Sequence, residues 1–157
     1  MADINVECIN PFLMATTGIM RDMCQMEMKI GKPYVKQTEF NDDSVLIMIG
    51  VTGEMRGQVI LAFTIGSALK IVSRMAMMEM TEMDELATSA ISELGNMIMG
   101  NAATILSTKG IGIDITPPTF CNGTFTMSTS YTKNVCIPLT IDDELIMELD
   151  ISVKSEE

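Results

Sequence analysis

The chain has 157 residues, 47% of them hydrophobic and 20% charged, with a formal net charge of −11 and no histidine. That size and hydrophobic content describe one globular domain, and the acidic balance argues against nucleic acid or an anionic membrane as partner while permitting a basic partner or plain solubility. Without histidine there is no serine–histidine or cysteine–histidine nucleophile pair, no histidine metal ligand and no phosphohistidine.

A first helix is expected over roughly residues 5 to 26, where Phe12, Thr16, Ile19, Met23 and Met26 recur at helical spacing and Gly31 with Pro33 ends the segment. Three strand-like runs follow, YVKQTEF (34–40), SVLIMIGV (44–51) and MRGQVILAFT (55–64), with turns at Asn41-Asp42-Asp43 and at Gly53. Ser67 is expected to cap a second helix over about 67–77, whose Leu69, Ile71 and Val72 give it a buried side. Asp84 then caps a long helix, and Gly110 stops it.

Three more strand candidates lie at roughly 118–130, 134–141 and 144–153, separated by Thr132-Lys133 and Asp142-Asp143. Val135, Ile137 and Leu139 alternate, as do Leu145, Met147, Leu149 and Ile151, so one sheet face is buried. The pattern reads as helix, three strands, helix, helix, three strands. It implies a two-layer α/β (α+β) fold with long helices packed on a mainly antiparallel sheet, since short hairpin links leave no room for parallel crossovers. The whole of 1–157 is expected to be a single domain of two pseudo-repeats, about 1–65 and 83–154.

Cys8, Cys24, Cys121 and Cys136 show no C-x-x-C spacing, which supports neither a zinc site nor a thioredoxin-type motif. The N-terminus MADINVEC lacks the basic and apolar regions of a signal peptide, so the cysteines read as buried thiols of a cytoplasmic protein. No run approaches the roughly 18 apolar residues of a membrane span. The 17 methionines, against five Phe, two Tyr and no Trp, read as core filler rather than as a plastic binding groove.

The stretch SAISELGNMIMGNAATILS (89–107) sets Ser89, Glu93 and Asn96 on one helical line, at gaps of four and three residues. At about 100° per residue, Ala87, Ala90, Ile91, Leu94, Met97, Ile98 and Ile105 fall in one arc that must face the sheet. Ser89, Glu93, Asn96, Gly100 and Ala103 form a narrow stripe away from it. A glycine inside a helix costs about 1 kcal/mol relative to alanine, and close approach by another molecule is one compensation. Two readings stand: solvated polar residues on an outer face, which the spacing alone favours, or a carboxylate and a carboxamide presented to a partner protein.

The block LATSAISELGNMIMGNAATIL, followed by DITPPTF, closely resembles the CheX branch of the CheC/CheX/FliY group of chemotaxis phosphatases. GKPY, GVTGEMRGQVILAFT and ALKIVSRM extend the resemblance over nearly the whole chain. The group's pattern is Asp or Ser, three residues, Glu, two residues, Asn, and a proline some 22 residues later. Ser89, Glu93 and Asn96 match it, while Pro117 and Pro118 lie 20 and 21 residues beyond Asn96. The resemblance implies a CheC-like fold and hydrolysis of the aspartyl phosphate of the response regulator CheY. Asn96 would orient the attacking water and Glu93 would pair with a regulator lysine. Ser89 and Gly100 would support them by leaving room. Mg²⁺ would sit in the regulator, with no cofactor or metal in this chain. The resemblance also implies a homodimer through sheet edges, covering open strand edges of the C-terminal half.

The first half repeats the spacing, as Asp3, Glu7, Asn10 and then Pro33, with Asp3/Ser89, Glu7/Glu93 and Asn10/Asn96 sharing an offset of 86. Pro11 disfavours helical geometry at Asn10 and suits a first helical turn, which would make Asn10 an N-cap and leave Glu7 outside the helix. Glu7 and Asn10 are therefore expected to be a vestigial second site. The rival to a phosphatase is a non-catalytic docking module like the flagellar switch domains of related fold.

Overall fold

In a computed structural model of the protein, which describes residues 6–35, 38–40, 43–123, 125–127 and 134–155, the first helix, α1, is Val6–Cys24. It begins four residues before Asn10, so Glu7 lies within the helix and Asn10 is not its cap. Pro11 sits inside it, where the missing N–H removes one helical bond. The buried side is Cys8, Phe12, Leu13, Ala15, Thr16, Met20 and Cys24; Met23, expected inside, is 38% exposed. The helix ends because Gln25 turns left-handed at φ 53°. Its N–H donates to the Arg21 carbonyl and that of Met26 to the Met20 carbonyl, a cap usually built on glycine.

Strands β1 (Lys29–Ile30), β2 (Tyr34–Val35), β3 (Thr38–Phe40), β4 (Ser44–Gly53) and β5 (Met55–Thr64) follow. The expected strand over 34–40 is thus split between β2 and β3, with residues 36 and 37 outside the described residues. Helix α2 (Ile65–Ala76) continues directly from β5. Its N-cap is Thr64, whose hydroxyl accepts from the Ser67 N–H, so Ser67 is a donor in the first turn and not the cap. Helix α3 (Glu85–Thr108) starts as expected, with the Asp84 carboxylate accepting from the Ala87 N–H at 2.9 Å. It stops before Gly110, which has φ 80°.

The second half adds β6 (Ile113–Ile115), β7 (Thr119–Asn122), β8 (Phe125–Met127), β9 (Val135–Ile141) and β10 (Glu144–Ser155). The strand expected over 118–130 is therefore β7 and β8, and β1 and β6 are short strands that the hydrophobic pattern left as connections. Asp142 and Asp143, both at positive φ, form the two-residue turn of the β9–β10 hairpin. The expected turns at Asn41-Asp42 and Thr132-Lys133 lie outside the described residues.

Every described strand pairing is antiparallel. The main sheet runs β1-β9-β10-β5-β4-β6, with β2 also on β9 and β7 also on β4, while β3 and β8 form a separate ribbon. The order reads the same from either half. β5 pairs with β10 and β3 with β8, while the short strands of each half edge the other half's hairpin. The outer edge of β9 is thus occupied by β1 and β2, and that of β4 by β6 and β7, so each half contributes one outer edge of the sheet.

All three helices contribute to one core on one face of this sheet, where Met147, Leu149, Ile151 and Val153 of β10 meet Val45, Ile47 and Ile49 of β4 and the buried sides of the helices. Methionines 20, 26, 55, 99 and 147 belong to that core, in keeping with their reading as filler. Among the described residues no helix is long and apolar enough to cross a membrane.

Candidate functional site

Helix α3 rests on both the sheet and α1, and its buried line is Ala87, Ile91, Leu94, Gly95, Ile98, Met99, Ala102 and Leu106. Ala90, Met97 and Ile105, expected to face the sheet, are only half-buried, because the contact side is rotated toward Gly95, Met99 and Ala102. Ser89, Glu93 and Asn96 are exposed, and Gly100 and Ala103 are half-buried along the same stripe. The structure therefore brings together on one solvent face the residues that the spacing aligned. Glu93 and Asn96 stand about 4.5 Å apart along the helix axis.

Gly95 lies between them in the chain and points the other way. A Cβ built on it would lie 2.7 Å from Ile47 Cγ2 and 3.3 Å from Leu61 Cδ1, so only glycine lets this turn settle so deeply onto β4 and β5. Leu94, also buried, flanks it. The turn that presents Glu93 and Asn96 is thus clamped from behind. The later glycine of the stripe differs: a Cβ on Gly100 would meet nothing within 4 Å, so no packing within the described residues requires glycine there.

Among the described residues no side-chain hydrogen bond or ion pair restrains Ser89, Glu93 or Asn96. Glu93 offers an acceptor-only carboxylate, and Asn96 offers a carboxamide that both donates and accepts. The stripe thus presents one charged acceptor and one mixed donor and acceptor to solvent. Pro117 is exposed and Pro118 half-buried in the link from β6 to β7, beside Thr116, whose backbone and hydroxyl both bond to Gly50 of β4.

The first-half counterpart differs. Asn10 is exposed on α1, while Asp3 and the side chain of Glu7 lie outside what is described. Met14, one turn beyond Asn10 and at the position matching Gly100 by the offset of 86, is 56% exposed. A long thioether therefore stands where the second half has open space.

Elsewhere, Cys136, Glu148 and Asp150 lie buried with their potential ligand atoms all within 4.8 Å of one another. They alternate with the core residues of β9 and β10 and so face away from the helices. The Tyr34 hydroxyl donates to Glu148 Oε2 at 2.7 Å. This grouping was missed because its members are far apart in the chain and only strand register unites them. Cys8, Cys24 and Cys136 are buried, and Cys121 is half-buried.

The family described as "Chemotaxis phosphatase CheX" matches residues 45–140. A protein described as "CheY-P phosphatase CheX" from Thermotoga maritima is 36% identical over 153 residues, covering 97% of this chain and 99% of that protein. The structure of a CheC-like superfamily protein from Shewanella sp. PV-4 superposes with a TM-score of 0.84 at 27% identity, over 98% of this chain and 100% of that one. A CheX from Borrelia burgdorferi, solved in complex with CheY, BeF3 and Mg²⁺, is similar with a TM-score of 0.81 at 30% identity, over 96% of this chain and 100% of that one.

Proposed function

This chain belongs to the CheX family of chemotaxis phosphatases, and from that premise we propose that it hydrolyses the aspartyl phosphate of CheY, or of a CheY-like receiver, in the cytoplasm. The observation that carries the reading is the exposed Glu93–Asn96 pair on a turn of α3 that Gly95 clamps against β4 and β5.

The chemistry asks little of the phosphatase beyond placement. An acyl phosphate is already activated, and its transfer to water depends on positioning and charge stabilisation more than on a strong base. The Asn96 carboxamide accepts from one water and donates beside it, holding the water in line with the phosphorus. The new bond is water oxygen to phosphorus. The bond that breaks joins phosphorus to the aspartyl oxygen, releasing the carboxylate, and a water proton ends on inorganic phosphate. Glu93 pairs with a lysine in the receiver's site and fixes the register that brings Asn96 to the phosphoryl group. Ser89 and Gly100 leave room on either side. The divalent cation of the reaction belongs to the receiver.

On this reading the α1 face around Glu7 and Asn10 does not act: Met14 obstructs close approach there, which supports a vestigial site. The palindromic strand order supports descent of the two halves from one repeated unit. A homodimer through the edge formed by β1 and β2 is supported by the exposed Ile30, Tyr34 and Val35 on those strands.

The deciding experiment follows decay of phosphorylated, Mg²⁺-loaded CheY with and without this protein and with Asn96→Ala. Losing a group that acts in the transition state should lower kcat by about 10²–10³-fold, while binding of BeF3-activated CheY persists. Binding by the wild type with no acceleration would overturn the reading in favour of a docking module.

A further inference from the structure

The stripe that carries Glu93 and Asn96 has an apolar head. Of the exposed α3 residues (Glu85, Leu86, Ser89, Glu93, Asn96, Thr104, Ser107 and Thr108), Leu86 alone is apolar, and it is 61% exposed. A single surface leucine is ordinary. This one is not placed at random. Leu86, Ser89, Glu93, Asn96 and Gly100 follow gaps of three, four, three and four, so one line along the helix carries them all, and Leu86 lies about 20° from Glu93 around the axis.

The first turn also gives no structural reason for a leucine to face solvent there. Asp84 already caps the helix, and the core contact of that turn is made by Ala87. Along the axis Leu86 stands about 10 Å from Glu93 and about 15 Å from Asn96. A standard interface covers about 800 Å² on each partner, wide enough that a receiver seated on Asn96 extends over Leu86.

We propose that Leu86 is the apolar anchor of receiver docking: it enters an apolar depression on an aspartyl-phosphorylated receiver domain, beside that domain's phosphorylation site, and supplies affinity while Glu93 and Asn96 supply register and chemistry. The inference rests on the phosphatase reading above and specifies its partner surface. The occupant is the receiver because the anchor is continuous with the line that must meet the phosphoryl group. Interfaces concentrate their binding energy in a few well-packed, desolvated side chains, while charged groups fix register and specificity.

The test is Leu86→Gln, which keeps length and helix propensity but removes the apolar surface, together with the conservative Leu86→Met. With phosphorylated receiver as substrate, Leu86→Gln should raise KM about tenfold at unchanged kcat, the effect expected from losing uniform binding, and Leu86→Met should restore it. A thermal melt matching the wild type establishes that the variant is folded. The Kd for BeF3-activated receiver, measured in parallel, should weaken by the same factor.

Unchanged KM and Kd in Leu86→Gln would overturn the anchor while leaving the phosphatase intact. So would a change confined to self-association, which would assign Leu86 to a second copy of this chain. A wild type that binds activated receiver without accelerating its decay would defeat the phosphatase reading, and the Kd comparison would still decide the role of Leu86.

Discussion

Two glycines five residues apart in α3 should respond to alanine in opposite directions. At Gly95 the added methyl falls 2.7 Å from Ile47 Cγ2 and 3.3 Å from Leu61 Cδ1. Ile47 is β-branched and fully buried, so its Cγ2 has no free rotamer into which to retreat. Forcing a methyl into such packing costs about 1–3 kcal/mol, while alanine returns about 1 kcal/mol of helix propensity, leaving a net loss of up to about 2 kcal/mol. At Gly100 the methyl meets nothing within 4 Å, so only the propensity gain remains and the variant should be stabilised by up to about 1 kcal/mol. Urea unfolding at a slope of about 1–3 kcal/mol per molar resolves both changes as shifts of the midpoint in opposite directions. Because the Gly95 methyl also lifts the turn between Glu93 and Asn96, Gly95→Ala should lose turnover out of proportion to its stability. Midpoints that shift the same way in both variants would refute the account of Gly95 as the clamp.

Burial pushes the Cys24 thiol up to about 11, against a smaller opposing effect of Arg74. The unfolded chain then ionises near pH 9 while the native chain holds its proton, so this contribution is complete below pH 9 and is lost as pH rises toward 11. Wild type should lose roughly 2–3 kcal/mol relative to Cys24→Ala across that window, and parallel pH–stability curves would contradict it. Asn10→Ala should leave turnover on phosphorylated CheY unchanged in the same decay assay; a loss approaching that of Asn96→Ala would make α1 a working face.

The helix that bears the candidate site was legible because its signals are local. An aspartate cap, a glycine stop and a polar line opposite an apolar arc can be read without knowing what packs on what. The arc was misplaced by part of a turn because α3 touches α1 as well as the sheet, and a second packing partner leaves no separate mark in a periodicity. Gly95 was overlooked for the same reason: a glycine that admits a neighbouring strand looks identical in sequence to one that is merely tolerated. The end of α1 was expected too late because glutamine occupies the left-handed position that glycine usually marks. Strands β1 and β6 are too short for alternation to register. The grouping of Cys136, Glu148 and Asp150 depends on the pairing of β9 with β10, and such register is a long-range property.

The crossed placement of the short strands has a consequence for how the chain acquires its structure. Lys29 pairs with Thr140, Met55 with Ser155 and Val51 with Ile115, so nearly every strand of the first half is completed by residues from the second. Closing such distant pairs precedes most of the reward for closing them, which places the chain among slow folders of high contact order. On the ribosome the β4–β5 hairpin emerges long before β10, and until then one flank of β5 is an unpaired edge of apolar sequence. The sheet therefore closes only once β10 has been made, and a chain truncated before β10 would expose an aggregation-prone edge instead of retaining half a protein.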